Sequence, residues 1–165
     1  MINELPSLEE KPELEFGNKK KALIILCGPP ASGKSTFGKK FAQDNKLVYV
    51  SIDEIRAEIG TGENDQSVSA AAFGIARQRV SVALHQNKNV VIDATNVNRK
   101  SRRDWINLGR GHGAFIIAIT FEVPREELLK RDAQRERHVG PEIIDKFLNK
   151  YERPSELEVD KVIIK

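Results

Sequence analysis

Leu23-Ile24-Ile25-Leu26-Cys27-Gly28-Pro29-Pro30-Ala31-Ser32-Gly33-Lys34-Ser35-Thr36 is the stretch from which the rest of the chain can be read. The apolar run from Leu23 to Cys27 is short and bounded by turn residues, as expected of a strand buried on both faces. It stops at Gly28, and after four further residues Gly33-Lys34-Ser35 opens a helix-forming segment. That spacing is G-x-x-x-x-G-K-[ST], in the strand–loop–helix setting where the pattern binds phosphate. Gly28 and Gly33 permit torsions and close approach that side chains forbid. Successive N–H groups then converge on an anion at a helix start, whose dipole favours negative charge. Gly28, Ser32, Gly33, Lys34, Ser35 and Thr36 are therefore candidate contacts for a nucleoside triphosphate. Lys34 is placed for the β/γ-phosphates and Ser35 for Mg²⁺. The competing reading, a plain Gly/Pro turn, is disfavoured by the flanking strand and helix.

Outward from this loop, strand and helix patterns alternate. A helix is predicted from Lys34 to about Asp44, with Phe37 and Phe41 on its core face, then a short strand over Leu47–Ser51. A long helix is expected over about Val68–Gln86, with Phe73, Ala76, Val80 and Leu84 at helical spacing. Asn89–Asp93 reads as the third strand, Arg99–Gly109 as a basic helix and Ala114–Phe121 as the fourth strand. A helix begins near Pro124. Another has Pro141 in its first turn and an apolar face of Ile143, Ile144, Phe147, Leu148 and Tyr151. Val159–Ile164 closes as a fifth strand. The class is α/β: five parallel strands covered by helices on both faces.

At 165 residues the chain is read as one domain without repeats. Residues 1–18 hold five glutamates against Lys11, a balance of −4, so a total of +3 leaves the remainder at +7. The start reads as an acidic tail, without the charge and apolar pattern of a secretory leader. The basic remainder suits a polyanionic ligand. No run approaches a membrane span, and the single cysteine, Cys27, suits a reducing, cytoplasmic setting; its expected task is packing. His85, His112 and His138 have no metal spacing, and Trp105 is expected to pack.

Asp53 follows the second strand, so a parallel sheet brings it to the ligand-binding edge beside the phosphate loop. There it can accept a hydroxyl proton as the oxygen attacks a γ-phosphate. Helix capping is the rival task for an Asp at this position. Arg56, three residues on, shares its face and makes a base-plus-anion-clamp pair. Asp93, at the end of Val-Val-Ile-Asp, is a candidate metal carboxylate; Thr95 and Asn96 follow it as candidate phosphate or acceptor contacts, with a simple turn as the alternative. Arg131 and Arg135 lie four apart, on one face of a basic lid over about 131–140, and are placed to neutralise charge on the transferred phosphoryl group. Arg99, Lys100, Arg102 and Arg103, with Arg77 and Arg79, either track a phosphate backbone or serve as surface solubility charges.

Taken together, these residues make the chain resemble the kinase domain of the 5′-hydroxyl polynucleotide kinases, within the P-loop kinase superfamily. Gly28–Thr36 matches that family's P-loop. Ser51-Ile52-Asp53-Glu54-Ile55-Arg56 resembles its Asp-x-x-Arg, and Asp93-Ala94-Thr95-Asn96 its Asp-x-Thr-Asn. Arg131–Arg135 is similar to the lid, and Tyr151–Glu158 to a late segment near the adenine pocket. The resemblance spans about residues 21–164. It implies a P-loop kinase domain over 19–165 with a helical lid, using ATP and Mg²⁺ to phosphorylate a nucleic acid 5′-hydroxyl end, DNA or RNA. Lys34, Asp53, Arg131 and Arg135 would be catalytic, Asp53 as general base. Arg56, Asp93, Thr95 and Asn96 would hold the acceptor, and Ser35 with Asp93 the metal. The alternatives are a kinase for a small-molecule hydroxyl (nucleoside, sugar or antibiotic) and a nucleotide-binding module without transfer.

Overall fold

The computed structural model describes residues 19–165, so the acidic segment 1–18 lies outside the described residues. Five strands form one sheet: β1 Ala22–Cys27, β2 Val48–Ser51, β3 Val90–Asp93, β4 Phe115–Thr120 and β5 Lys161–Ile164. Their order is β2-β3-β1-β4-β5 and every pairing is parallel. The helices are α1 Lys34–Asn45, α2 Ile52–Ile59, α3 Ser69–His85, α4 Arg99–Gly111, α5 Arg125–Ala133 and α6 Pro141–Lys150. This is the P-loop kinase fold.

Every residue of β1 is buried, which explains its uninterrupted apolar run. The twofold alternation of a strand splits that run between two cores. Leu23, Ile25 and Cys27 pack with α2, α3 and α4; Ala22, Ile24 and Leu26 pack with Phe41 and Ala42 of α1. On α4, Gly109 lets the helix settle onto the sheet: a Cβ there would lie 2.5 Å from Ile116 Cδ1 and 2.9 Å from Leu23 Cδ2. Trp105 is buried and stacks with Phe73, as a packing residue should. Burial also pushes the Cys27 thiol up to about 12, which keeps it protonated and inert. Among the described residues no helix is long and apolar enough to cross a membrane.

Register carries the functional side chains to one edge. Ser51 pairs with Asp93, Asp93 with Leu26, and Cys27 with Thr120, so the strand ends line up where P-loop and β-to-α turns emerge.

Several local expectations need correction. On α3 the expected Ala76, Val80 and Leu84 are buried, but Phe73 is partly exposed and Ala72 and Ala83 complete the buried stripe in its place. On α6 only Ile144 is buried; Ile143 faces out, and Tyr151 lies past the last turn. The lid is not a continuous helix: α5 ends at Ala133, so Arg135 lies beyond it rather than on its face. The reason is Asp132, whose carboxylate accepts from the backbone N–H groups of Val139 and Gly140 and folds the chain back. Burial pushes the Asp132 carboxyl up, but those two N–H groups, with Arg135 and His138, outweigh it and hold it low.

Candidate active site

Gly33 stands in the left-handed region at φ 91° and caps α1 without a side-chain hydrogen bond. The first N–H groups of α1 are thus left to a ligand, as an anion site at a helix start requires. Ser32 Oγ is buried without a hydrogen-bond partner, the one such side-chain atom among the described residues. A buried orphan hydroxyl inside a phosphate loop fits a bound nucleotide phosphate. Lys34 is buried with Nζ 3.3 Å from Pro29 O. Burial lowers its pKa while Asp93 and Asp53 pull it back up, so the ammonium depends on nearby charge.

Ser35 Oγ donates to Asp93 Oδ2 at 2.7 Å, and the Tyr49 hydroxyl donates to the same oxygen. Asp93 is buried at the end of β3, joined to α1 and β2 through these bonds. Two hard oxygen donors side by side next to a triphosphate cradle suit Mg²⁺, which keeps waters and takes phosphate oxygens rather than an all-protein cage. Among the described residues no group of three or more His, Cys, Asp or Glu could hold an ion. Tyr49 carries no sequence signal for this task. It is one more strand aromatic until β2 is laid beside β3.

The carboxylate of Asp53 is not a cap. Ser51 caps α2, accepting from Glu54 N at 3.2 Å, which leaves the Asp53 side chain 60% exposed in the mouth of the site. Arg56 Nη1 donates to Asp53 Oδ1 at 2.7 Å while its Nε donates to Ser69 Oγ at 3.0 Å. Desolvation in the mouth raises the Asp53 carboxyl above its ordinary value; Arg56 opposes this, and Asp93 and Glu63 add to it.

Thr95 and Asn96 do different work from each other, and only Asn96 departs from the expected acceptor contact. Thr95 O accepts from Gly28 N at 2.8 Å, joining the turn after β3 to the P-loop backbone. Asn96 is buried, at positive φ, with its amide donating to Leu26 O at 3.0 Å. Its side chain faces the protein, a positioning task in place of acceptor reading. Arg102 departs most from expectation. It is neither a surface charge nor a phosphate contact. It is fully buried, paired with Glu158 at 2.8 Å, and donates to Asn96 O at 2.7 Å and Glu152 O at 2.9 Å. A helical pattern of R-x-x-R-R does not reveal which arginine faces inward; only the packing of α4 does.

From the lid, Arg131 Nη1 reaches Ser32 O of the P-loop at 3.3 Å, steadied by Glu127 at 3.0 Å. Arg135 leans on Asp132 at 3.7 Å and is near enough to depress the Lys34 pKa. Further along, Arg137 pairs with Glu63, tying the lid to the loop after α2. Thr36 sits exposed on the first turn of α1. In the late segment, the Tyr151 hydroxyl bonds with Thr120 Oγ1 at 2.7 Å and Glu122 Oε2 at 2.6 Å; burial and Glu122 push it up to about 12.

A family profile described as an AAA domain, AAA_33, matches residues 23–154, from the first strand past the lid. The chain belongs to this family. The L-seryl-tRNA(Sec) kinase of Methanococcus maripaludis is 28% identical over 144 residues, 80% of this chain and 53% of its own. A protein of Acanthamoeba polyphaga mimivirus described as a bifunctional polynucleotide phosphatase/kinase is 28% identical over 145 residues, 84% of this chain and 30% of its own. Among solved structures, a chain of the Pnkp1/Rnl/Hen1 RNA repair complex superposes with a TM-score of 0.70 at 30% identity, covering 80% of this chain and 44% of that one. This AAA_33 chain therefore spans about half, or less, of the curated relatives it matches.

Proposed function

We propose that the chain is an ATP- and Mg²⁺-dependent kinase that moves the γ-phosphate to the 5′-hydroxyl of a DNA or RNA end. The observation that carries this reading is the Asp53–Arg56 pair at 2.7 Å, standing in the mouth beside a P-loop with an orphan buried hydroxyl. The acceptor oxygen attacks the γ-phosphorus, the bond to the β–γ bridging oxygen breaks, and the acceptor proton passes to Asp53. Its raised pKa makes Asp53 a better proton acceptor than an ordinary exposed carboxylate. Arg56 holds both this base and an acceptor phosphate. Lys34 and the loop amides hold the donor phosphates, and Arg131 and Arg135 offset charge on the transferred group. Ser35 and Asp93 would hold Mg²⁺, which when bound neutralises charge on the phosphate oxygens. Two of the relatives are described as acting on a polynucleotide or a charged tRNA, which supports a nucleic acid acceptor.

The test is transfer of label from γ-labelled ATP, with Mg²⁺, to a 5′-hydroxyl oligonucleotide. Label recovered at the 5′ end is the expected result, and none on the oligonucleotide would sink the reading. The seryl-tRNA relative favours a second acceptor, the hydroxyl of an aminoacyl group carried on a tRNA. Running a 5′-hydroxyl RNA and a 5′-phosphorylated seryl-tRNA side by side separates the two.

A further inference from the structure

Beyond the phosphate loop lies a second concave surface. A groove of about 540 Å³ runs beside α4, walled by Arg99, Arg103, Ile106 and Arg110 on one side and by Glu152 and Leu157 on the other. Arg99, Arg103 and Arg110 fall at i, i+4 and i+11, one face of the helix, with Lys100 adjoining. The stripe is about 16 Å long at ~1.5 Å per residue. The side chains of Arg99, Lys100 and Arg103 are exposed and make no hydrogen bond or ion pair with another described residue. Arg110 donates one bond, to Glu158 O at 2.9 Å, and the Glu158 carboxylate that also lines the groove is already taken by Arg102. Four cations thus face one unpaired carboxylate, Glu152. Charges that serve solubility are interspersed in sign, whereas these line one hollow with a single free carboxylate among them. Opposite them Leu157 is 94% exposed, an apolar contact for a sugar or base. The stripe starts at Arg99, in the first turn of a helix capped by Asn98 two residues after the Asp93–Asn96 turn, so the groove leads away from the edge that holds the candidate chemistry.

We infer that this groove binds a single strand of the nucleic acid acceptor, its phosphates on Arg99, Lys100, Arg103 and Arg110 and a sugar or base against Leu157; the inference rests on the polynucleotide reading above. The groove grips sugar–phosphate backbone at a distance from the reacting end. It therefore sets affinity for long acceptors and leaves the transfer step alone.

The experiment compares the full chain with its R99A/K100A/R103A variant. Binding of a 3′-fluorescent 5′-hydroxyl oligonucleotide of about 20 nucleotides is followed by anisotropy over a range of salt. Each single-strand phosphate contact contributes ~0.7 to the slope of log K against log salt, so the variant should lose about 2 from that slope. Its KM for the long acceptor should rise at least about tenfold, while kcat at saturation and KM for a dinucleotide acceptor stay unchanged. L157A should weaken binding with the slope kept. An unchanged slope and unchanged long-acceptor KM would overturn the groove. So would loss of binding to phosphatidylserine vesicles with oligonucleotide binding intact, which would make the surface a membrane contact. Anisotropy needs no phosphoryl transfer, so an inactive chain whose oligonucleotide binding still depends on these three cations sinks the proposed reaction while supporting the groove.

Discussion

Two strand-to-helix junctions at the same sheet edge each carry an aspartate, and they are built in opposite ways. At the β3–α4 junction, Asp93 is buried, held by Ser35 and Tyr49, and the turn behind it is pinned by Asn96, Thr95 and Arg102. At the β2–α2 junction, Asp53 stands exposed with a single charged partner, Arg56, and Ser51 supplies the cap. On the proposed reading, the difference separates two kinds of carboxylate chemistry. A group meant to share an ion with phosphates gains from a fixed position. A group meant to take a proton from an incoming hydroxyl must remain open to it and keep an elevated pKa.

The sharpest way to break this contrast is to delete each acid. Asp53→Ala should lower kcat by about 10²–10⁴-fold, the usual worth of a positioned base, with ATP affinity retained. Asp93→Ala should instead weaken Mg²⁺-dependent ATP binding itself, read by calorimetry with and without the ion. If the two variants fail in the same way, the division of labour is wrong. Next in size is the brace behind Asp93. Arg102→Met strands the Glu158 carboxylate in the interior and leaves Asn96 O and Glu152 O without their donor. It should destabilise the fold by about 3–5 kcal/mol in urea melts, whereas Arg56→Ala, which removes the bonds to Asp53 and Ser69 but strands no buried charge, should cost less, about 1–2 kcal/mol.

A smaller effect tests the grip on Asp93. Tyr49→Phe removes one hydrogen bond to a charged oxygen and should cost about 1.5–3 kcal/mol, with a higher Mg²⁺ concentration needed for half-maximal activity. Last comes the pH profile. As the proposed base Asp53 would work ionised, and its pKa is raised, so kcat/KM should begin to fall at a higher pH than an ordinary carboxylate would dictate as the solution is acidified. Arg56 lowers that pKa, so in Arg56→Ala the acid limb should move further toward neutral pH. A limb that stays in place on this substitution would detach the pair from the proton transfer.

Much of this is legible in the sequence. Sequence-local physics sufficed wherever one residue type at one spacing has a single workable use. An apolar run ending in G-x-x-x-x-G-K-S, strands alternating with helices, and acids at strand ends sufficed for the sheet, the P-loop and the edge that holds Asp53 and Asp93. Asp53 and Arg56, three apart on one turn, were legible as a pair for the same reason. Other features depended on which element packs against which. R-x-x-R-R on α4 shows a basic helix, but not that Arg102 turns inward to Glu158, 56 residues away, while its neighbours stay free to line a groove. Nor does a tyrosine in a strand announce that its hydroxyl will meet an aspartate on the next one. The lid's early end at Asp132 belongs here as well, because the carboxylate that stops the helix bonds to backbone seven and eight residues later. Local periodicity fixes which face a side chain occupies. Only the tertiary structure decides what that face meets, because burial and long-range partners, not spacing, determine whether a charge is a brace, a base or a binding surface.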